Sequence, residues 1–228
     1  MRPVRIVIFA KAPLPGFAKT RLIPALGAEG SARLARHFLE NTIGEALAAD
    51  IGSVELCVTP AADNQAWRSF QFPEVLHWSW QGEGDLGERL SRAAQRVIAA
   101  GESVLLIGTD CPQLDAGLLR WAAKTLSKTD AVVSPTFDGG YALLGLNQYH
   151  SSLFENIQWS TGSVASETLA KLKQLCWRFG RSVMLHDIDE PSDLKWVPKK
   201  WNLVVTNGQG SSTKEQGVIL STGVACNV

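Results

Sequence analysis

"RIVIFAKAPLPGFAKTRL", Arg5 to Leu22, decides the fold. Its first third is an uninterrupted apolar run, Ile6, Val7 and Ile8, as expected of a strand covered on both faces rather than one. Pro13 and Pro15 then fix their own φ and push the residues before them toward extended backbone, while Gly16 allows a turn where a side chain would be in the way. "AKTRL" leads on toward a helix. Buried strand, stiffened loop and helix form the opening unit of an α/β protein with helices on both faces of a mainly parallel sheet.

The same pattern continues along the chain. Apolar runs suited to buried strands recur at "SVELCVTP" (53–60), "VLHWSWQ" (75–81), "SVLLIGTD" (103–110), "DAVVSPTF" (130–137), "YALLGL" (141–146) and "SVMLHDID" (182–189). Helix-period stretches lie between most of them, for example Leu86, Leu90, Ala94 and Val97, then Leu118, Leu119, Ala122 and Leu126. The expected architecture is a three-layer α/β/α fold of Rossmann type around a mainly parallel, mixed sheet. Residues 1–201 read as one domain. From Asn202 onward the chain loses helical period and turns rich in Gly, Ser and Thr, which reads as a flexible appendage over 202–228.

Bulk composition narrows the function. Lys plus Arg equals Asp plus Glu, 22 each, so no global field exists to hold nucleic acid or an anionic membrane, and any anion site must be local. No signal-peptide pattern and no membrane-length apolar run occurs, so the expectation is a soluble, cytoplasmic protein. Four scattered cysteines without a C-x-x-C pair read as packed thiols.

In open sheets of this kind, ligands sit beyond the carboxyl ends of the strands. The first such loop carries Lys11, Lys19 and Arg21 and no acid, which suits the phosphates of a nucleotide. It is not a P-loop, because Ala18 and Leu14 or Pro15 stand where the two glycines of G-x-x-x-x-G-K-[ST] are needed, and G-x-G-x-x-G is absent as well. The fourth run ends in Asp110, placed to bind Mg²⁺ or Mn²⁺, which takes one or two carboxylates plus phosphate oxygens. Asp115 reads as a helix cap. Cys111 has no histidine in a recognisable relation to it and reads as packing. The last run ends in Asp187 and Asp189, on one face of an extended chain, with Asp189 the second metal ligand and Asp193 in the first turn of the next helix. Asp138, before Gly139 and Gly140, is the candidate general base or acceptor contact, and a plain hairpin explains those glycines equally. In "QGEGDLGERL" Gly82, Gly84 and Gly87 would let ring or ribose atoms lie against backbone, with Gly82 and Gly87 taken as nucleoside contacts; Glu88 and Arg89 read as helix charges. Trp159 is either a stacking face for a sugar or core.

The ordered set "KAPLPGFAKTRL" (11–22), "QGEGDLGERL" (81–90), "GTDCPQL" (108–114), "DGGYALLGL" (138–146), "WSTGSV" (159–164) and "DIDEPSDL" (187–194) resembles the bacterial glycosyltransferase-A-like family of nucleotide-diphospho-sugar transferases, which includes arsenosugar biosynthesis glycosyltransferases. The resemblance covers about residues 4 to 197. It extends more distantly to phospholactate guanylyltransferases and molybdenum-cofactor nucleotidyltransferases. It implies a glycosyltransferase-A fold, Lys11, Lys19 and Arg21 on nucleotide phosphates, and Asp110 and Asp189 on a divalent metal. Glu190 departs from the Thr usual in the D-x-P segment of related cytidylyl and guanylyl transferases.

The function so implied is metal-dependent transfer from a nucleotide-activated donor to a small acceptor, with glycosyl transfer favoured because the first loop is not the glycine-rich L-x-A-G-G-x-S-x-R kind that wraps a triphosphate. The alternatives are nucleotidyl transfer, which expels pyrophosphate and asks for cations beyond the first loop, and a non-catalytic nucleotide-binding module.

Overall fold

The computed structural model describes residues 2–201, and the proposed appendage at 202–228 lies outside them. Seven strands form one sheet: β1 (Val4–Lys11), β2 (Gly52–Thr59), β3 (His77–Trp80), β4 (Ser103–Ile107), β5 (Ala131–Pro135), β6 (Tyr141–Leu146) and β7 (Phe179–Arg181), in the order β3-β2-β1-β4-β6-β5-β7. All ladders are parallel except those that β6 makes with β4 and β5. The expected mixed, mainly parallel sheet is what forms.

Four helices cover it: α1 (Ile23–Ala49), α2 (Leu86–Ala99), α3 (Ala116–Leu126) and α4 (Val164–Gln174). Alternation along β1 shows how both faces are used. Ile6 and Ile8 pack with Leu39 and Ile43 of α1 and Leu119 of α3, whereas Val7 packs with Leu90, Ala94 and Val97 of α2. Each of these three strand residues is fully buried, worth roughly 1.5–3 kcal/mol apiece on removal from water. Asp85 caps α2 through a reciprocal capping box with Glu88, and Asp115 caps α3 by accepting from the Leu118 amide.

One expected strand is displaced. β7 spans Phe179–Arg181, and the run 182–189 follows it as irregular extended chain with a single bridge, Thr136 to Leu185. Leu185 is buried but Val183 and Met184 are exposed, so the apolar string there is not a double-faced core strand. Its ladder stops where β5 is irregular, at Ser134 and Pro135. What remains are separate bonds to β5, such as the Leu185 amide donating to Pro135 at 2.9 Å.

Candidate active site

The carboxyl ends of β1, β4 and β5, the start of β6 and the chain after β7 meet at one edge of the sheet, around a cleft of about 760 Å³. That lies within the range of small-molecule sites. Lys11, Lys19, Arg21, Asp110, Asp138 and Asp189 all line it.

Lys19 is the hub. Its backbone is left-handed, with φ 50° and ψ 42°, a conformation that costs a residue with a Cβ on the order of 1 kcal/mol and here turns the first loop inward. The side chain is only 5% exposed. Its Nζ lies 2.8 Å from Asp110 Oδ1, 2.8 Å from Asp189 Oδ1 and 2.6 Å from the Ile188 carbonyl oxygen. Three ammonium protons thus meet three protein acceptors. Burial opposes the charge, but the fields and hydrogen bonds of the two aspartates more than offset it and hold the ammonium above its ordinary pKa. Lys19, expected on nucleotide phosphate, is spent on the two aspartates because no proton of its ammonium is left over. Of the other two cations of the first loop, Lys11 lies over the Phe17 ring and Arg21 is exposed, 3.9 Å from Asp189.

Asp110 and Asp189 are brought together by the chain as well. The Ile188 amide donates to the Asp110 carbonyl at 3.0 Å, so the 187–189 segment runs beside the end of β4. Asp193 accepts from the backbone amides of Asp189 and Glu190, at 3.2 and 2.8 Å, and so anchors the turn that aims Asp189. On the back of this segment His186 is stacked between Phe137 and Trp196, at centroid distances of 4.2 and 3.7 Å.

Asp138 is oriented by its own turn, accepting from Thr136 Oγ1 and from the Gly140 amide at 3.0 Å. Gly139, at φ 91°, passes so close to the 159–163 loop that a Cβ would stand 2.0 Å from the Gly162 carbonyl oxygen. Asp187 joins the cleft too. Burial, then the charge of Asp138 and those of Asp189 and Asp110, push its carboxyl up to about 6. Four aspartates, Asp110, Asp138, Asp187 and Asp189, thus share the cleft with Lys11, Lys19, Arg21 and Arg89.

Gly82 and Gly87 are not part of the lining. An added Cβ at Gly82 would stand 2.3 Å from Arg92 Nη1, and one at Gly87 would stand 2.3 Å from Trp159 Nε1, so these glycines admit protein side chains. Trp159 itself lines the cleft, as do Gln81 and Arg89. Arg89 is the residue that the sequence reading set aside as a helix charge. Cys111 is pushed up to about 12, chiefly by burial, and is a packed thiol rather than a nucleophile.

Asp110 and Asp189 suit a hard divalent cation in part. Each gives one oxygen to Lys19 and is still two-fifths or more exposed to the cleft. Among the described residues no group of three or more His, Cys, Asp or Glu forms a ready cage. Such a pair fits Mg²⁺ or Mn²⁺ whose remaining positions are filled by substrate phosphate and water.

Comparison with known proteins agrees with this architecture. Residues 42–161, more than half of the chain, match the family described as "Uncharacterized protein conserved in bacteria (DUF2064)". A protein of Desulfovibrio desulfuricans G20, provisionally named a nucleotide-diphospho-sugar transferase, is 30% identical with a TM-score of 0.78, covering 85% of each chain. A cytidylyltransferase of Leptospira borgpetersenii serovar Hardjo-bovis shares the fold at 14% identity and TM-score 0.53, over 88% of this chain and 87% of that one. So does a Mycobacterium tuberculosis H37Rv protein solved with manganese, at 14% identity and TM-score 0.51, over 86% and 98%. No curated protein matches closely enough to count as a relative. The chain belongs to the DUF2064 family, and its fold is that of the nucleotide-diphospho-sugar transferase-like proteins.

Proposed function

We propose that this DUF2064 member is a metal-dependent transferase that uses a nucleotide-activated donor, with glycosyl transfer from a nucleotide-diphospho-sugar to a small acceptor as its reaction. The observation that carries the reading is the meeting of Asp110 and Asp189 on one buried ammonium, with Asp138 in the same cleft. The 30% identical Desulfovibrio protein supports the choice of donor class.

In this reading Asp110 and Asp189 hold Mg²⁺ or Mn²⁺, which supplies charge stabilisation for a departing nucleoside diphosphate. Arg21 adds preorganised positive charge to the same oxygens, and Lys11 supplies a further cation for the donor's phosphates. Lys19 keeps the two carboxylates in one place before any ligand arrives. Asp138, with one oxygen fixed by Thr136 and Gly140, offers the other to an acceptor hydroxyl as base or orienting contact.

The test is incubation with a panel of nucleotide sugars and nucleoside triphosphates, with Mn²⁺ or Mg²⁺, followed by analysis of released products. Slow metal-dependent release of a nucleoside diphosphate from one sugar nucleotide is expected. Pyrophosphate from a triphosphate, with every sugar nucleotide intact, would replace glycosyl by nucleotidyl transfer. Asp110→Asn should lose at least a hundredfold of the metal-dependent turnover, on the order of 3 kcal/mol of transition-state stabilisation, while circular dichroism shows the parent fold and the thermal midpoint falls by no more than the loss of one ion pair to Lys19 explains.

A further inference from the structure

Gln81 is 6% exposed and directly follows β3. Its Nε2 donates to the carbonyl oxygens of Ala10, at 3.2 Å, and Cys57, at 3.0 Å. Two backbone acceptors can be served only by the amino end of the amide, so Oε1 must face the opposite way. There it accepts from Arg89 Nη1 at 3.4 Å. Arg89 stands in the first turn of α2, and its Nε donates back to the Gly84 carbonyl at 2.9 Å. The guanidinium is thereby fixed on the wall of the cleft by two neutral acceptors, and three of its five N–H donors have no protein partner among the described residues.

Charge in the cleft is segregated. Lys19 and Arg21 lie beside aspartates. Among the described residues Lys11 and Arg89 have no carboxylate within ion-pair distance, and Lys11 has only the face of Phe17. These two cations flank the same strand end, since Gln81, which positions Arg89, is bonded to Ala10, the residue before Lys11. The acids near Arg89 in sequence do not line the cleft, and Asp85 and Glu88 are engaged in capping α2. A half-buried guanidinium with a free fork and no counter-ion is matched by a planar or tetrahedral oxyanion that accepts two of its donors.

We propose that Arg89 and Lys11 form a second anion subsite, which takes a phosphate group of the substrate where, among the described residues, the cleft wall brings no carboxylate within ion-pair distance of either cation. The inference rests on the nucleotide reading above only for what carries the phosphate: the donor itself, or a second, phosphorylated substrate.

The experiment is isothermal titration without metal, using inorganic pyrophosphate on the parent, Arg89→Met, Arg89→Lys and Asp110→Asn proteins, followed by UDP, GDP, CDP and ADP on the same four. Arg89→Met should weaken pyrophosphate about tenfold or more, Arg89→Lys should fall between it and the parent, and Asp110→Asn should bind at least as well as the parent. A matching loss for the preferred nucleoside diphosphate assigns the subsite to the donor. A loss confined to pyrophosphate, measured with that nucleotide saturating, assigns it to a phosphorylated second substrate. Pyrophosphate bound equally by the parent and a folded Arg89→Met protein, or by neither at millimolar concentration, would overturn the subsite. Arg89-dependent pyrophosphate binding with no nucleotide binding at all would instead leave the subsite standing and remove the nucleotide reading.

Discussion

A buried ammonium between two half-exposed carboxylates makes Lys19 a structural cation. Lys19→Met leaves Asp110 and Asp189 with only Arg21, 3.9 Å from Asp189, to offset their charge. Breaking a fully buried pair costs about 3–5 kcal/mol, and solvent around the two aspartates reduces this, so a loss of roughly 1–2 kcal/mol is expected. Mn²⁺ should recover more of the thermal midpoint in Lys19→Met than it adds to the parent, because it supplies the charge removed. Equal metal-induced shifts in calorimetry would show that the ammonium and the ion do not share these carboxylates. Much of the residue-level site was legible in the sequence. A side chain at or just past the end of a buried run projects beyond the sheet edge, as Lys11 and Asp110 do, and Arg21, Asp138 and Asp189 line the same cleft from longer loops. What was hidden was pairing. No spacing rule says that Lys19 in a left-handed turn reaches two aspartates far along the chain, or that Gln81 fixes Arg89 toward the cleft rather than toward solvent.

Among the elements, the turn between β5 and β6 is tightly constrained. Asp138 is held within it, and Gly139 meets the 159–163 loop at a separation no side chain tolerates. Gly139→Ala combines a positive φ with a clash against a carbonyl oxygen, and should cost about 2 kcal/mol or more in denaturant titration while lowering turnover beyond what that stability loss explains. A variant with parental kcat would mean that Asp138 does not depend on this packing. The elements also show where reading a sequence by apolar runs stops working. β1, β2, β4, β5 and β6 were legible because both faces are buried, so hydrophobicity and strand coincide. At Val183 and Met184 the run is apolar yet exposed, while the true strand, β7, holds only Phe179, Gly180 and Arg181 and has no apolar string to announce it.

Across the whole molecule, a second charged centre lies away from the cleft. Glu55 on β2, with its side chain 1% exposed, accepts from Arg5 on β1, Ser79 on β3 and Arg96 on α2. Burial raises the pKa of Glu55, but the hydrogen bonds of Arg96, Ser79 and Arg5 outweigh it, so the folded value lies below the ordinary 4.5. The contribution is therefore complete above pH 4.5 and is lost as pH falls through the folded value. Glu55→Gln should be less stable than the parent by about 3 kcal/mol at pH 7, and the gap should narrow only below pH 4.5 in paired unfolding curves. A gap that closes between pH 5 and 7 would contradict the assignment. The sheet itself has one further consequence. Strands buried on both faces hold their amides in ladders, whereas every cleft-lining acid sits on chain beyond them. In deuterium exchange the centre of β1, β4 and β6 should stay dark for the longest times, and a bound nucleotide should slow labelling only in peptides spanning 11–21, 81–89, 109–111, 136–140 and 187–190, five short windows of the sequence that light and darken together.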